Sequence, residues 1–182
     1  TAKGMESLLV DELTALGAQS VAAVRAGATF EGTLETAYRA CLWLRVANRV
    51  LLPLKTFQAP TPEKLYGGVK SIRWTDHLDS RQTLAVDFSS SGVSGITHTH
   101  FGALKTKDAI VDQIRSVDSR GERPSVEVHR PDVRVNVYVL NDEATVSLDL
   151  SGASLHQRGY REEGALAPLK ENLAAANLLT AE

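Results

Sequence analysis

The segment from residue 133 to residue 150 constrains the fold of this chain more than any other. Valines alternate with polar or aromatic residues over Val133–Val139, and a similar alternation resumes over Ala144–Leu150. Because successive side chains along a strand point to opposite faces, each stretch predicts a strand with one apolar face. Asn141 and Asp142 between them are typical turn residues. The segment therefore predicts a β-hairpin, and it is the strongest such signal in the sequence.

Composition indicates a globular protein with its own core. Of the 182 residues, 43% are hydrophobic and 23% are charged, which suffices for a packed interior without disulfides. No apolar run approaches the roughly 20 residues of a membrane-spanning helix, and the first residues do not resemble a signal peptide. The single Cys41 can form no internal disulfide. We therefore expect a cytoplasmic protein with a reduced thiol and no membrane partner.

The first 57 residues predict a small α+β unit. A helical stripe ends at Gly17, two short β-prone runs flank Gly27, a second helical stripe follows, and the aliphatic run Val46–Leu54 predicts a strand. The second stripe consists of Leu34, Ala37, Tyr38, Cys41 and Leu42. We expect this stripe, Cys41 included, to pack in the core. If residues before Thr1 supply one more strand, the order becomes that of a ferredoxin-like unit.

A domain boundary is predicted at Ala59–Pro62, where two prolines stiffen the chain. Thr61 is a typical N-cap for a helix that runs to about Ile72, and Pro62 suits its first position. A strand over Leu84–Phe88 and a long helix follow. The apolar stripe of that helix is Ile110, Val111, Ile114 and Val117, and we place its start near Thr106.

Two features indicate part of a longer protein. Residue 1 is Thr, and residues 169–182 form an Ala/Leu-rich helical pattern that reaches the last residue without a Gly or Pro stop. We expect a neighbouring segment to hold part of the function.

The sequence shows no catalytic signature. The glycine-containing stretch Ser91–Gly95 lacks the Lys-Ser/Thr of a phosphate-binding loop and the three-glycine pattern of a dinucleotide turn. His98 and His100 have strand spacing but no third ligand nearby, so we expect ordinary surface histidines and no metal. The chain is therefore predicted to be non-catalytic.

Charge is distributed unevenly although the net charge is only −2. Residues 36–75 carry a net charge of +6, from Arg39, Arg45, Arg49, Lys55, Lys64, Lys70 and Arg73 against one acidic residue. The aromatic residues Tyr38, Trp43, Tyr66 and Trp74 lie between these cations. Such a pattern can bind phosphates and stack on unpaired bases. The alternative is that both tryptophans lie in the core and the cations pair with acidic residues elsewhere.

Four stretches add a family resemblance. TAKGMESLLVDELTALGA resembles the start of THUMP-containing RNA-modifying enzymes, and YRACLWLRVANRVLLPL with FGALKTKDAIVDQ resembles the interior of one branch. The segment from PDVRVNVYVLNDEATVSLDL through LHQRGYREEGALAPLKENLAAANLL is the most specific. Together they resemble the N-terminal region of bacterial large-subunit ribosomal RNA guanine-N2 methyltransferases of the RlmL type, often the front half of a fused two-methyltransferase protein.

The resemblance implies an α+β chain in three parts. These are a ferredoxin-like unit over residues 1–57, a THUMP domain over 58–157 that on a broad definition begins near 36, and a connector with the first helix of an absent methyltransferase domain over 158–182. The full enzyme would bind S-adenosylmethionine as its cofactor. The family's glycine-rich cofactor motif and its Asn-Pro-Pro-Tyr motif have no counterpart here. Because that tetrapeptide also marks adenine-N6 methylases, members of this group also carry an adenine-methylase label.

The resemblance also implies structured RNA as the partner, specifically 23S ribosomal RNA, with the catalytic domain in cis. Its basic positions match Lys105, Lys107, Arg158 and Arg161, and the basic block adds Arg45, Arg49, Lys70 and Arg73 as RNA-contact candidates. Lys105 could instead solvate a helix start, and Arg158 could pair with Asp149 or Glu162. Pro168, Leu169 and Lys170 match the helix beside the cofactor in the full enzyme.

Two alternatives remain open at this point. The first is a module of a transfer-RNA-modifying enzyme, since THUMP units also precede transfer-RNA methyltransferases and thiouridine synthases. The second is a ferredoxin-like protein-interaction module without an RNA role, which would follow if the basic block were paired or buried.

Overall fold

The structure is a computed structural model that describes residues 1–92, 95–96, 98–118, 121–159 and 169–181. It forms two compact units, one from Thr1–Val50 with Ala153–Glu182 (the terminal unit) and one from Leu51–Gly152 (the central unit). The helices and strands along the described residues are, in order, α1 (Glu6–Ala15), β1 (Gln19–Val24), β2 (Gly27–Glu31), α2 (Leu34–Trp43), β3 (Leu51–Gln58), α3 (Pro62–Lys70), a 3₁₀ turn (Trp74–Asp76), β4 (Thr83–Ser91), α4 (Thr99–Val117), β5 (Ser125–Val126), β6 (Val133–Leu140), β7 (Glu143–Asp149) and α5 (Glu171–Thr180).

The first helix and hairpin of the terminal unit follow the sequence prediction. Helix α1 buries Leu9 and Leu13 and ends before Gly17, whose φ of +80° suits glycine at this position. Strands β1 and β2 pair antiparallel around Arg25 and Ala26. The predicted helix cap and hairpin are therefore confirmed.

Helix α2 does not bury the stripe that its sequence predicts. Thr33 caps the helix by accepting from the Thr36 backbone N–H at 3.3 Å, yet Ala40 is its single buried residue. Leu34, Tyr38 and Leu42 are exposed, and Cys41 is half-buried. The core prediction for this stripe was wrong because the pattern shows only that one face of the helix is apolar. It does not show that the described chain covers that face.

The strand after α2 begins later than predicted. Residues 44–50 form no strand, and β3 starts at Leu51 and pairs with β7 in the central unit. Leu44, Val46, Ala47 and Val50 are nevertheless buried. Their aliphatic character thus reflects packing rather than strand pairing, which the sequence pattern cannot distinguish.

A five-stranded mixed sheet in the order β3-β7-β6-β4-β5 forms the centre of the central unit. Strands β6 and β7 form the predicted antiparallel hairpin, with Val137 opposite Val146. Asn141 and Asp142 adopt positive φ at its turn, as a tight hairpin requires. Strand β4 is parallel to β6 and extends to Ser91, beyond the predicted end at Phe88, because its pairing continues to Leu140.

The helices of the central unit contribute to one apolar cluster with the sheet. The side chain of Thr61 accepts from the Lys64 backbone N–H at 3.3 Å, which confirms the predicted N-cap of α3. The cluster includes Leu65, Trp74, Ile110 and the inward valines of β6. The Trp74 indole donates to the Val69 carbonyl at 2.9 Å, which satisfies its buried N–H.

Helix α4 begins seven residues before the predicted start, at Thr99 rather than near Thr106. The N-cap is His98, whose side chain makes no capping hydrogen bond, so the usual start signal is missing. Thr106 is fully buried within the helix.

Of the described helices, none combines the length and hydropathy needed to cross a membrane.

Two neighbouring glycines of α3 give a matched test of this packing. A Cβ at Gly67 would meet no atom within 4 Å, whereas one at Gly68 would overlap the ring of Phe57, which packs against the core. We expect Gly67→Ala to stabilise the chain by up to about 1 kcal/mol through helix propensity. We expect Gly68→Ala to destabilise it by about 1–3 kcal/mol through overpacking. Urea unfolding of both variants checks this, and equal effects would contradict the packing of α3 on β3.

Candidate nucleic-acid interface

The fold divides the basic block of residues 36–75 between the two units. Arg39, Arg45 and Arg49 belong to the terminal unit, and Lys55, Lys64, Lys70 and Arg73 belong to the central unit. Cations that are neighbours in the sequence therefore belong to two different units and have different surroundings.

Three cations gather at the end of α3. Ser71 caps the helix and its hydroxyl donates to the Gly68 carbonyl at 2.6 Å. The Lys55 ammonium on β3 donates to the same Ser71 hydroxyl at 2.7 Å. Lys70 and Arg73 lie on either side of Ser71 in the chain and are both exposed. We call Lys55, Lys70 and Arg73 the α3 cluster.

The α3 cluster is only weakly compensated by acidic groups. The Lys70 ammonium lies 5.4 Å from the centre of the Tyr66 ring. Tyr66 donates to Asp112 at 2.7 Å, and this hydrogen bond raises the pKa of the Tyr66 hydroxyl, so the phenol stays neutral. Arg73 is 3.7 Å from Asp76, with both side chains more than half exposed, and such a pair contributes little. The cluster can therefore offer positive charge to a phosphate.

The end of α3 also stabilises the positive charge of Lys70 for a reason that does not involve RNA. The carbonyl end of α3 carries a partial negative charge, which favours Lys70 there by typically about 0.3–1 kcal/mol. Lys55, which comes from β3, is not explained by its own helix position. Its placement is the part of the arrangement that a sequence pattern does not reveal.

Lys105 and Lys107 lie within α4 rather than at its N-terminus. They flank the buried Thr106 and, being two residues apart on a helix, point about 200° apart. Lys105 lies 5.7 Å from the centre of the Phe101 ring, and Lys107 forms an ion pair with Asp108. The predicted helix start near Thr106 would have placed both lysines at the N-terminal end of the helix, but the helix begins at Thr99, more than one turn before them.

Two of the predicted RNA-contact arginines, Arg45 and Arg158, bind other groups within the terminal unit. Arg45 donates to Glu12 through its side chain at 2.8 Å and its backbone N–H at 3.1 Å. The Arg158 guanidinium donates to the carbonyls of Leu42 at 3.1 Å and Leu44 at 2.9 Å. It thus binds the end of α2 rather than the suggested Asp149.

Two further arginines complete the predicted set. Arg49 is half-buried and engaged in an interaction, whereas Arg161 lies outside the described residues. Pro168 also lies outside them, and Leu169 and Lys170 directly precede α5.

The two tryptophans have opposite environments. Trp74 is completely buried, as the core alternative held, but the Trp43 side chain is 68% exposed at the end of α2. The sequence alone does not separate the two tryptophans, because both lie between cations and aliphatic residues. The helical spacing of the apolar residues on α2 can be read from the sequence, but their exposure to solvent cannot.

Among the residues that the structure describes, no group of three or more His, Cys, Asp or Glu side chains could hold a metal ion. His98 and His100 are exposed at the start of α4 and belong to a helix, not to the strand that their spacing suggested. The arrangement is thus one of charged and apolar surfaces.

The chain belongs to the THUMP-domain family, because the sequence model of the THUMP domain matches residues 59–149, half of the chain. The match to the RlmL ferredoxin-like domain covers residues 1–51. The two domains follow one another in the predicted order.

Curated relatives share most of this chain. It is 59% identical to the "Ribosomal RNA large subunit methyltransferase K/L" of Methylococcus capsulatus and 55% identical to that of Syntrophotalea carbinolica, each over 179 residues and 98% of this chain. These residues amount to 24% and 25% of the relatives' lengths. The chain thus spans about a quarter of the relatives it matches.

Solved structures show the same fold. A Listeria monocytogenes protein described as a predicted N6-adenine-specific DNA methylase matches with a TM-score of 0.85 and 32% identity, over 98% of this chain and 46% of that one. SMU.472, described as a methyltransferase and complexed with SAH, matches with a TM-score of 0.83 and 32% identity, over 99% and 47%. The adenine-methylase label expected within this group therefore occurs.

Replacing Arg158 separates a structural role from an RNA contact. We expect Arg158→Gln to lower the free energy of unfolding by about 1 kcal/mol, because the carbonyls of Leu42 and Leu44 lose a charged donor. Arg39→Gln, which removes an exposed arginine paired with Glu35, should change stability by less than about 0.5 kcal/mol. Urea unfolding measures both, and an unchanged stability of Arg158→Gln would contradict the structural role.

Proposed function

We propose that this chain is the RNA-binding and substrate-positioning region of an S-adenosylmethionine-dependent ribosomal RNA guanine-N2 methyltransferase. One observation carries the proposal. A ferredoxin-like domain and a THUMP domain occur in order, and relatives named as large-subunit ribosomal RNA methyltransferases share 55–59% identity over 98% of the chain. The protein would act in the cytoplasm, where ribosomal RNA is modified in bacteria.

The chemistry belongs to the part of the protein outside this chain. There the exocyclic guanine amine, on a base turned out of its stack, would take the methyl group of the cofactor. The sulfur–methyl bond would break to release S-adenosylhomocysteine, and the amine would lose one proton. The residues present here do not fit the cofactor, since the sequence lacks its glycine-rich motif and the Asn-Pro-Pro-Tyr motif. Helix α5 turns its buried Asn172 onto Asn48, with 2.9 Å between the amide nitrogen and oxygen. That side of the helix serves packing within the terminal unit.

The contribution of this chain would be to hold RNA so that one nucleotide reaches a distant active site. Binding energy remote from the reacting atoms can raise the rate when it orients them. The α3 cluster supports this role because Lys55 hydrogen-bonds Ser71 at the end of α3, and Lys70 and Arg73 are exposed on either side of that residue in the chain. We propose these three as the principal RNA contacts, with Lys105 as a further one, and we assign Arg45 and Arg158 to local structure.

Removing the α3 cluster should weaken RNA binding and its salt dependence together. Each phosphate contact contributes about 0.7 to the slope of log affinity against log salt for single strands, so Lys55→Gln, Lys70→Gln and Arg73→Gln together should flatten that slope by about 2. The test is fluorescence anisotropy with unmethylated large-subunit ribosomal RNA at several salt concentrations, with transfer RNA as competitor.

Matched variants locate the effect. Lys105→Gln with Lys107→Gln should flatten the slope by less than about 0.7, because Lys107 pairs with Asp108 and the charge of Lys105 helps to lower the pKa of the Glu63 carboxyl. Arg39→Gln should leave it unchanged, because Arg39 pairs with Glu35 at 2.8 Å. If the α3 variant binds like the parent at every salt concentration, the cluster is not the contact. Stronger competition by transfer RNA would favour a transfer-RNA-modifying enzyme.

The isolated chain should not bind the methyl donor. Isothermal titration calorimetry with S-adenosylmethionine is expected to show no heat beyond dilution, since the sequence carries neither family motif for cofactor and amine. A dissociation constant in the micromolar range, about −8 kcal/mol of binding free energy, would contradict the division of labour proposed above.

A further inference from the structure

The terminal unit exposes an apolar surface that the proposed RNA role does not use. Leu34, Tyr38 and Leu42 recur every four residues on α2 and form one face of the helix. Their side chains are 54%, 52% and 68% exposed, and Trp43 at the helix end is 68% exposed. Exposed apolar residues scattered singly need no explanation, but a continuous row that ends in a tryptophan is typical of an interaction site.

Helix α5 continues this surface. Leu42, Trp43 and Leu44 line a cleft together with Leu155 and with Ala175 of α5. Ala175 and Leu178 are three residues apart on one face of α5, and Leu178 is 71% exposed. One end of the apolar row on α2 and one apolar residue of α5 therefore line the same cleft. We call Leu34, Tyr38, Leu42, Trp43, Ala175 and Leu178 the α2–α5 surface.

Three arginines near the α2–α5 surface each have a partner in the described part of the chain. Arg39 pairs with Glu35 at 2.8 Å, and Arg45 pairs with Glu12 at 2.8 Å. The Arg158 guanidinium donates to two backbone carbonyls. A nucleic acid needs available positive charge beside its stacking aromatics. The charge-compensated rim and apolar centre instead match a protein partner.

The path of the chain favours one protein partner. Glu171 and Ala175 of α5 line the cleft, so the polypeptide leaves the terminal unit beside the surface. The relatives that match this chain are about four times as long. Whatever follows α5 in the full-length protein therefore starts next to the exposed residues, at a high effective concentration.

We infer that the α2–α5 surface is the docking surface for the catalytic part of the same polypeptide that follows this chain. Burying it would hold the terminal unit against the catalytic part. The inference rests on the proposed function only in requiring that such a part exists. It makes no use of the α3 cluster.

The two tryptophans of this chain allow a direct test in the full-length protein without RNA. Hydroxyl-radical footprinting with mass spectrometry reports the exposure of each side chain, and the buried Trp74 serves as an internal reference. In the isolated 182-residue chain Trp43 should be readily oxidised. In the full-length protein most of that oxidation should be lost, so that Trp43 approaches the low reactivity of Trp74.

A pair of variants links the protection to the surface. Leu42→Glu places a charge beside Trp43 and should restore its oxidation in the full-length protein. Val24→Glu changes an exposed residue on β1 of the same unit and should leave Trp43 protected. Equal oxidation of Trp43 in the isolated chain and the full-length protein would overturn the inference.

Two other occupants give distinct results. Protection of Trp43 only after RNA is added would assign the surface to RNA. Protection that increases with protein concentration would assign it to a second copy of the chain. Either result overturns docking in cis. Failure of the proposed function would appear separately, as RNA affinity that does not depend on the α3 cluster.

Discussion

The pairing of β6 with β7 is the interaction on which the central unit depends. The two strands occupy the middle of the sheet, so β7 offers its other edge to β3 and β6 offers its other edge to β4. Their inward residues, Val135, Val137 and Val146 among them, are fully buried in the cluster that α3 and α4 also join. The position of β3 beside β7 in turn brings Lys55 to the end of α3. A local hairpin thus sets the position of Lys55, whose register partner Val146 lies 91 residues later in the chain.

The sequence predicted those elements whose signals are local. The alternation in Val133–Leu150 and the Asn141-Asp142 turn were sufficient for the hairpin, and Thr61-Pro62 for the start of α3. Helix α4 was placed too late because its first turn lacks a capping side chain, and Thr106, which suggested a start, is buried inside it. When a helix has no capping side chain, a propensity pattern does not show at which residue the helix begins.

The candidate site was only partly predictable for a related reason. Net charge identified the cations of residues 36–75, but whether a cation is available depends on partners that are distant in sequence. Glu12 compensates Arg45 across 33 residues, and Arg158 binds carbonyls more than 110 residues away. Lys55 and Lys70 meet hydroxyl groups instead. Cations in the terminal unit thus stabilise its structure, whereas Lys55 and Lys70 in the central unit have only neutral hydroxyl partners.

The apolar face of α2 also shows that a sequence pattern does not reveal whether a side chain is buried. The row Leu34, Tyr38 and Leu42 has the period of a core-facing helix, and in the terminal unit nothing that the structure describes buries it. Leaving such a face in water forgoes the roughly 25 cal/mol per Å² that burial provides. A protein whose stability is only a small difference between large terms gains by covering it. Since the rim cations are compensated, the partner that covers this face most favourably is one that brings apolar groups rather than phosphates. This physical difference separates the α2–α5 surface from the α3 cluster and supports the proposal that the two surfaces have different partners.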